Sequence, residues 1–161
     1  MILAWCAATT GSRAIFRKRC NHTGCHSAGL TLETSSRQFA DVVVAAPTGR
    51  IDHQSAVHFE AGLAPLVKAA GGNKGALVLD CTGIEYISSV GLRVLMIAAK
   101  ELRAAGAKIA VTNLRPVVAE IFAISRFDRV LGVFPSVRDA IAQFSATALA
   151  AFDAAQPPAA R

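Results

Sequence analysis

The stretch GALVLDCTGIEYISSVGLRVLMIAAKEL, residues 75–102, decides how the rest of the chain is read. Its opening, Gly75-Ala-Leu-Val-Leu-Asp80, is a continuous apolar run closed by an acid, the profile of a strand covered on both faces. A loop from Cys81 to Ser88 follows, and then an amphipathic helix. Leu92, Leu95, Met96, Ala99 and Leu102 recur at helical spacing, with Arg93, Lys100 and Arg103 on other faces and Gly106 as the stop. A buried strand that feeds a helix is the repeating unit of a layered α/β domain.

The same alternation extends in both directions. Upstream, Leu30-Thr-Leu-Glu-Thr34 alternates, and Val42-Val-Val-Ala-Ala46 is a short apolar run ending at Pro47 and Gly49. Both read as strands of a hairpin or adjacent pair. Asp52 stands ahead of a helix carrying Phe59, Leu63, Leu66, Val67 and Ala70 on one face, with a kink or early break expected at Pro65. Downstream, Lys108–Thr112 reads as a strand. Pro116 opens a helix whose apolar positions are Val117, Ile121 and Ile124. Val130–Phe134 reads as a last short strand. Ser136 with Asp139 resembles a capping box for a closing helix bearing Val137, Ala140, Ile141 and Phe144. The predicted order is β-β-α-β-α-β-α-β-α over residues 30–145, an α/β domain with helices packed on the sheet.

Composition bounds the function. With 161 residues, 53% of them hydrophobic, the chain suits one domain with one core and is too apolar for disorder throughout. No segment reaches the ~18 apolar residues of a membrane span. The formal charge of +6 invites a nucleic-acid reading, but its location argues otherwise. Residues 1–28 carry Arg13, Arg17, Lys18 and Arg19 and no acid, which leaves the rest of the chain close to neutral. That leader has its apolar start before its basic cluster, the reverse of a secretory signal, and is expected to be a disordered extension. The Ala-rich, Pro-containing residues 147–161 are expected to be a disordered tail, leaving 29–146 as the domain.

Enzymatic motifs are absent. There is no phosphate-binding Gly-rich loop and no Gly-x-Ser-x-Gly elbow, and His53 and His58 lack a nucleophile in a matching context. Cys20, Cys25 and two histidines fall within seven residues, but adjacent Cys25 and His26 suit one metal poorly, so neither metal nor cofactor is expected. Cys81 reads as a small core filler, and four cysteines without a signal peptide argue for a reducing compartment, the cytoplasm. What remains is the pair Ser88 and Ser89 at a helix start. The unsatisfied N–H groups and positive dipole end there suit an anion, including a phosphate placed on a serine, while either serine could simply cap the helix.

The run Asp80-Cys-Thr-Gly-Ile-Glu-Tyr-Ile-Ser-Ser-Val-Gly-Leu-Arg-Val-Leu resembles the signature of STAS domains, specifically the bacterial anti-sigma factor antagonists. Gly49-Arg-Ile-Asp52 and Ser125-Arg-Phe-Asp-Arg-Val-Leu131 resemble two further family motifs, so the likeness covers about residues 30–145. It implies a mixed sheet with helices against it and a non-enzymatic partner switch. The serine two positions before the Gly-Leu pair, Ser89, would be the phosphoacceptor. Asp52, Asp80, Ser88, Val90, Gly91 and Arg93 would belong to the partner-binding surface. The partners implied are an anti-sigma factor that is itself a serine kinase and a PP2C-type phosphatase, with no direct nucleic-acid contact. Ser88 stands where phosphorylated members often have Asp, and Val90 where they often have Ser, Thr or Ala. STAS-like domains also serve as accessory subunits of ABC-type lipid transport systems or as scaffold and ligand-sensing modules, and those readings stay open here.

Overall fold

The structure, a computed structural model, describes residues 32–155. Six strands and five helices follow one another: β1 (Glu33–Phe39), β2 (Val42–Ile51), α1 (Ala56–Gly72), β3 (Ala76–Asp80), β4 (Ile84–Ile87), α2 (Ser89–Ala104), β5 (Lys108–Thr112), α3 (Pro116–Ile124), β6 (Gly132–Phe134), α4 (Val137–Phe144) and α5 (Ala146–Ala155). Short 3-10 turns precede β4 and β6. The strand order is β1-β2-β3-β5-β6, with β1 antiparallel to β2 and the other neighbours parallel. β4 pairs with the far end of β2, beyond the reach of β3. This is the mixed α/β architecture expected.

The two-residue period of a strand explains why the central parts of β2, β3 and β5 are continuous apolar runs. Val43, Ala45, Leu77, Leu79 and Val111 face a core built with Phe59, Leu63, Leu95, Leu102, Val118 and Phe122 from α1, α2 and α3. Their neighbours Val42, Ala76, Val78 and Ala110 face the opposite way, against Ala140, Ile141 and Ala148 of α4 and α5. The sheet is therefore covered on both sides, three helices on one and two on the other.

Several elements differ from the sequence expectation, each for a local reason. The first strand runs on past Thr34 to Phe39, because it pairs with Val42–Thr48 of β2 and the pairing is anchored at Phe39 opposite Val42. β2 itself runs on through Pro47. The parallel partners of β2 end with Ala45 opposite Leu79 and resume with Gly49 opposite Ile84, so the proline sits where no ladder donor is required. Pro65 neither ends nor shortens α1, which continues to Gly72 with the proline on its exposed side. The segment Cys81–Ser88, expected as a loop, contains the strand β4. In α3 the core side chains are Val118 and Phe122, while Val117 and Ile124 are 55% and 83% exposed.

The expected disordered tail is likewise corrected over residues 147–155, which belong to α5. Phe152 meets Phe39 edge to face with ring centroids 5.2 Å apart, and Arg138 forms a paired contact with Asp153 at 3.0–3.1 Å. Burial of Ala148 adds to this anchoring. The leader 1–28, with its cysteines and histidines, lies outside the described residues.

Candidate functional site

The two consecutive serines are separated by the helix geometry. Ser88 is the residue before α2, in extended conformation, and its Oγ accepts the backbone N–H of Gly91 at 3.4 Å. Its own N–H donates to the Ile51 carbonyl at 2.7 Å, and its carbonyl accepts from Leu92 at 3.0 Å. Ser89 is the first residue of α2 and is exposed. With Ser88 occupied as the cap, the Ser89 hydroxyl faces solvent at the positive end of a helix whose first turn holds no acid.

Gly91 explains how α2 comes so close to the sheet. A Cβ there would lie 2.5 Å from Ile51 Cγ2 and 2.9 Å from Ile87 Cγ1. Hydrogen is the only side chain that lets this turn rest on the β2–β4 pair. Val90, 38% exposed, and Arg93 border Ser89 on the outer side of the helix. Arg93 is four residues after Ser89 and therefore shares its helix face.

Pairing of Ile51 with Ile87 also brings the start of α1 to this place. Asp52 follows Ile51 directly, and its Oδ1 accepts from the N–H groups of Gln54 and Ser55 and from the Ser55 hydroxyl, each at 3.0 Å. The Ser55 N–H bond foremost, with its hydroxyl next, holds the Asp52 carboxyl below the usual aspartate range against a smaller opposing effect of burial. Ser55, 2% exposed, also lies 2.7 Å from the Arg50 carbonyl and accepts the Asp52 N–H at 2.9 Å. The guanidinium of Arg50 in turn stacks 5.0 Å from the centre of the Tyr86 ring. Val57, in the first turn of α1, is 69% exposed. Asp52, Ser88, Ser89, Val90, Gly91 and Arg93 thus gather around two helix starts that spring from one strand pair. Tyr86 and Val57 join them although neither stood out in the sequence: Tyr86 lies in the unrecognised β4, and Val57 is off the apolar stripe of α1.

Asp80 is placed differently. It continues the β3 positions Ala76 and Val78, which face α4 and α5, so its side chain lies on the opposite side of the sheet from α2. It lines a cleft of about 480 Å³ with Arg37, Asn113, Ser136 and Phe152 among others. Burial opposes its ionised form, but hydrogen bonds from the Thr82 hydroxyl (2.6 Å), Asn113 Nδ2 (3.0 Å) and the Thr82 N–H (3.1 Å) outweigh it and lower the carboxyl pKa. Arg115 Nε extends the network by donating to the Thr82 carbonyl at 3.0 Å. Asp80 ties the turn after β3 to the end of β5 and is no part of the serine surface.

Other candidates resolve simply. His53 and His58 are exposed. Cys81 is buried, and burial pushes its thiol up to about 12, which leaves it protonated and unreactive. Among the described residues no cluster of three or more His, Cys, Asp or Glu side chains could hold a metal ion, and no helix is long and apolar enough to cross a membrane.

A mixed sheet with helices on both faces and this strand order is the architecture of a known domain family. The chain belongs to the STAS domain family, whose sequence profile matches residues 34–140. Within it the chain falls among the anti-sigma factor antagonists. BtrV of Bordetella bronchiseptica, described as an anti-sigma factor antagonist, is 36% identical over 118 residues, covering 72% of this chain and 90% of that protein. Solved structures share the fold. An anti-sigma factor antagonist from Mycobacterium paratuberculosis superposes with a TM-score of 0.62 at 24% identity, over 70% of this chain and 93% of that one. The unphosphorylated form of the anti-sigma factor antagonist SpoIIAA gives 0.57 at 17% identity, over 69% and 95%. The phosphorylated Bacillus SpoIIAA gives 0.53 at 16%, over 69% and 98%.

Proposed function

We propose that this anti-sigma factor antagonist is a phosphorylation-controlled partner switch with Ser89 as its phosphoacceptor. Unphosphorylated, the surface around Ser89, Val90, Arg93 and Asp52 binds an anti-sigma factor that is also a serine kinase, and so releases a sigma factor. A PP2C-type phosphatase resets it. The observation that carries this reading is the division between the serines: Ser88 is committed to the cap, whereas the Ser89 hydroxyl is exposed on an acid-free helix start.

The switch acts at the interface and leaves the fold intact. A phosphate adds about −1.5 to −2 charge. The positive end of α2 favours that charge by roughly 0.3–1 kcal/mol, and Arg93 lies on the same helix face. A partner packed over Ser89 would have to desolvate the phosphate beside the ionised Asp52. Every ~1.4 kcal/mol of that cost lowers affinity tenfold.

The test compares the unmodified protein, Ser89→Ala and Ser89→Asp for binding to the organism's anti-sigma factor kinase, with intact mass measured after incubation with that kinase and ATP. The expected result is binding by the first two, loss of binding by Ser89→Asp, and a single phosphate gain that Ser89→Ala abolishes. A phosphate gain that persists in Ser89→Ala would sink the assignment.

A further inference from the structure

β1 is one margin of the sheet, and among the described residues no strand pairs with its outer side. Its inner side can be identified from two hydroxyls. Thr48 Oγ1 donates to the Glu33 carbonyl and Ser35 Oγ donates to the Ala46 carbonyl, each at 3.4 Å across register partners. Odd-numbered residues of β1 therefore turn their backbone polar groups toward β2. Because these groups alternate along a strand, Thr34, Ser36 and Gln38 present theirs outward. The strand is seven residues long, holds no proline and keeps an unbroken register with β2. Glu33, Ser35, Ser36, Arg37 and Gln38 are exposed. An edge of this kind, unpaired among the described residues, is a template for another strand.

We infer that this edge pairs antiparallel with the same edge of a second copy, about a two-fold axis at Ser35. In that register the outward groups of Thr34 meet those of Ser36 in the other copy, and the hydrogen-bonding parity is satisfied. Glu33 of each copy then lies opposite Arg37 of the other, in the closer, non-hydrogen-bonded type of pair. The neighbouring registers of correct parity lose this match. An axis at Ser36 sets Glu33 against Phe39, and an axis at Thr34 carries Arg37 past the start of the strand. Opposite charges related by a two-fold axis make the segment complementary to itself, which is what an isologous interface requires. This argues for a second copy over an unrelated strand. The pairing uses no residue of the surface around Ser89.

Sedimentation velocity on the full chain over a wide concentration range tests the proposal. A reversible monomer–dimer equilibrium is expected. Glu33→Arg alone and Arg37→Glu alone each set like charges opposite one another twice, and each should weaken the dimer about tenfold. Mixing the two variants restores opposite charges at both pairs, so the mixture should associate as the unmodified protein does. The double variant should do so as well. Both positions are exposed, and circular dichroism confirms that the variants fold. A protein that stays monomeric throughout would overturn the proposal. So would single variants that associate as the unmodified protein does, or a mixture no tighter than its components.

Discussion

The backbone N–H of Ser88 donates to the carbonyl of Ile51 across 2.7 Å, and this bond joins the starts of two helices that are distant in sequence. On one side of it, Asp52 folds back to hold the N–H groups that lead into α1. On the other, Ser88 caps α2 and leaves Ser89 as the first exposed helical residue. The candidate surface is thus a product of strand pairing: β4 delivers Ser88 and Ser89 to the end of β2, where Asp52 already stands.

The two serines should therefore respond differently to the same substitution. Ser88→Ala removes a cap and should lower stability by about 1 kcal/mol while leaving a phosphoacceptor in place. Ser89→Ala should leave stability within about 0.5 kcal/mol of the unmodified protein, as expected for an exposed position, while removing phosphorylation. Urea denaturation together with intact-mass measurement separates the two effects.

Gly91→Ala should be costly although alanine is the better helix former. The added methyl would sit 2.5 Å from Ile51 Cγ2 and 2.9 Å from Ile87 Cγ1, both on buried side chains that have little room to retreat. Overpacking of this sort costs about 1–3 kcal/mol, more than the roughly 1 kcal/mol gained in helix propensity. The expected outcome is a net loss of stability in urea, with weaker partner binding because α2 must tilt away from the β2–β4 pair. Retained stability with unchanged binding would contradict the close approach.

The sequence made most of the scaffold legible because β2, β3 and β5 are buried on both faces and α2 is strongly amphipathic. It hid the elements whose stability depends on distant partners. β4 has only four residues and becomes a strand because the end of β2 is left open by β3. α5 is nearly all small side chains, and what fixes it is Phe152 meeting Phe39. Apolar spacing in α3 admitted two stripes, and contact with the sheet selects Val118 and Phe122 over Val117 and Ile124. Within the site, Asp52 and the serines could be singled out, but Asp80 could not be separated from them. Which face of β3 receives α2 is a property of the assembled layers.

Acid should destabilise the protein through Asp80 and Asp52. Both carboxyls have folded pKa values below the ordinary aspartate value, so the unfolded chain binds more protons in that range. Their stabilising contribution is complete above about pH 4, the unfolded value, and is lost as pH falls through the lower folded values. Thermal melts below about pH 4 should show falling midpoints. Asp80→Asn should be less stable at neutral pH and show a shallower acid dependence, because it removes one of the two linked protons. A slope identical to that of the unmodified protein would mean that the bonds from Thr82 and Asn113 do not favour the charged form.

Phe152→Ala tests whether α5 is an integral part of the domain. The ring lies edge to face with Phe39, the residue that closes β1 at its turn, and Asp153 beside it holds Arg138 of α4. Loss of a partly buried aromatic should cost about 1–3 kcal/mol, less than a fully enclosed ring because Phe152 retains some exposure. Asp153→Ala should cost under about 1 kcal/mol, since the ion pair is exposed to solvent. The two substitutions therefore distinguish apolar docking from charge pairing as the source of the anchoring. Hydrogen exchange should show faster exchange of the α5 amides in Phe152→Ala, with β3 and α2 unaffected. If both substitutions were neutral and α5 exchanged freely in the unmodified protein, the packing of α5 against β1 would be refuted.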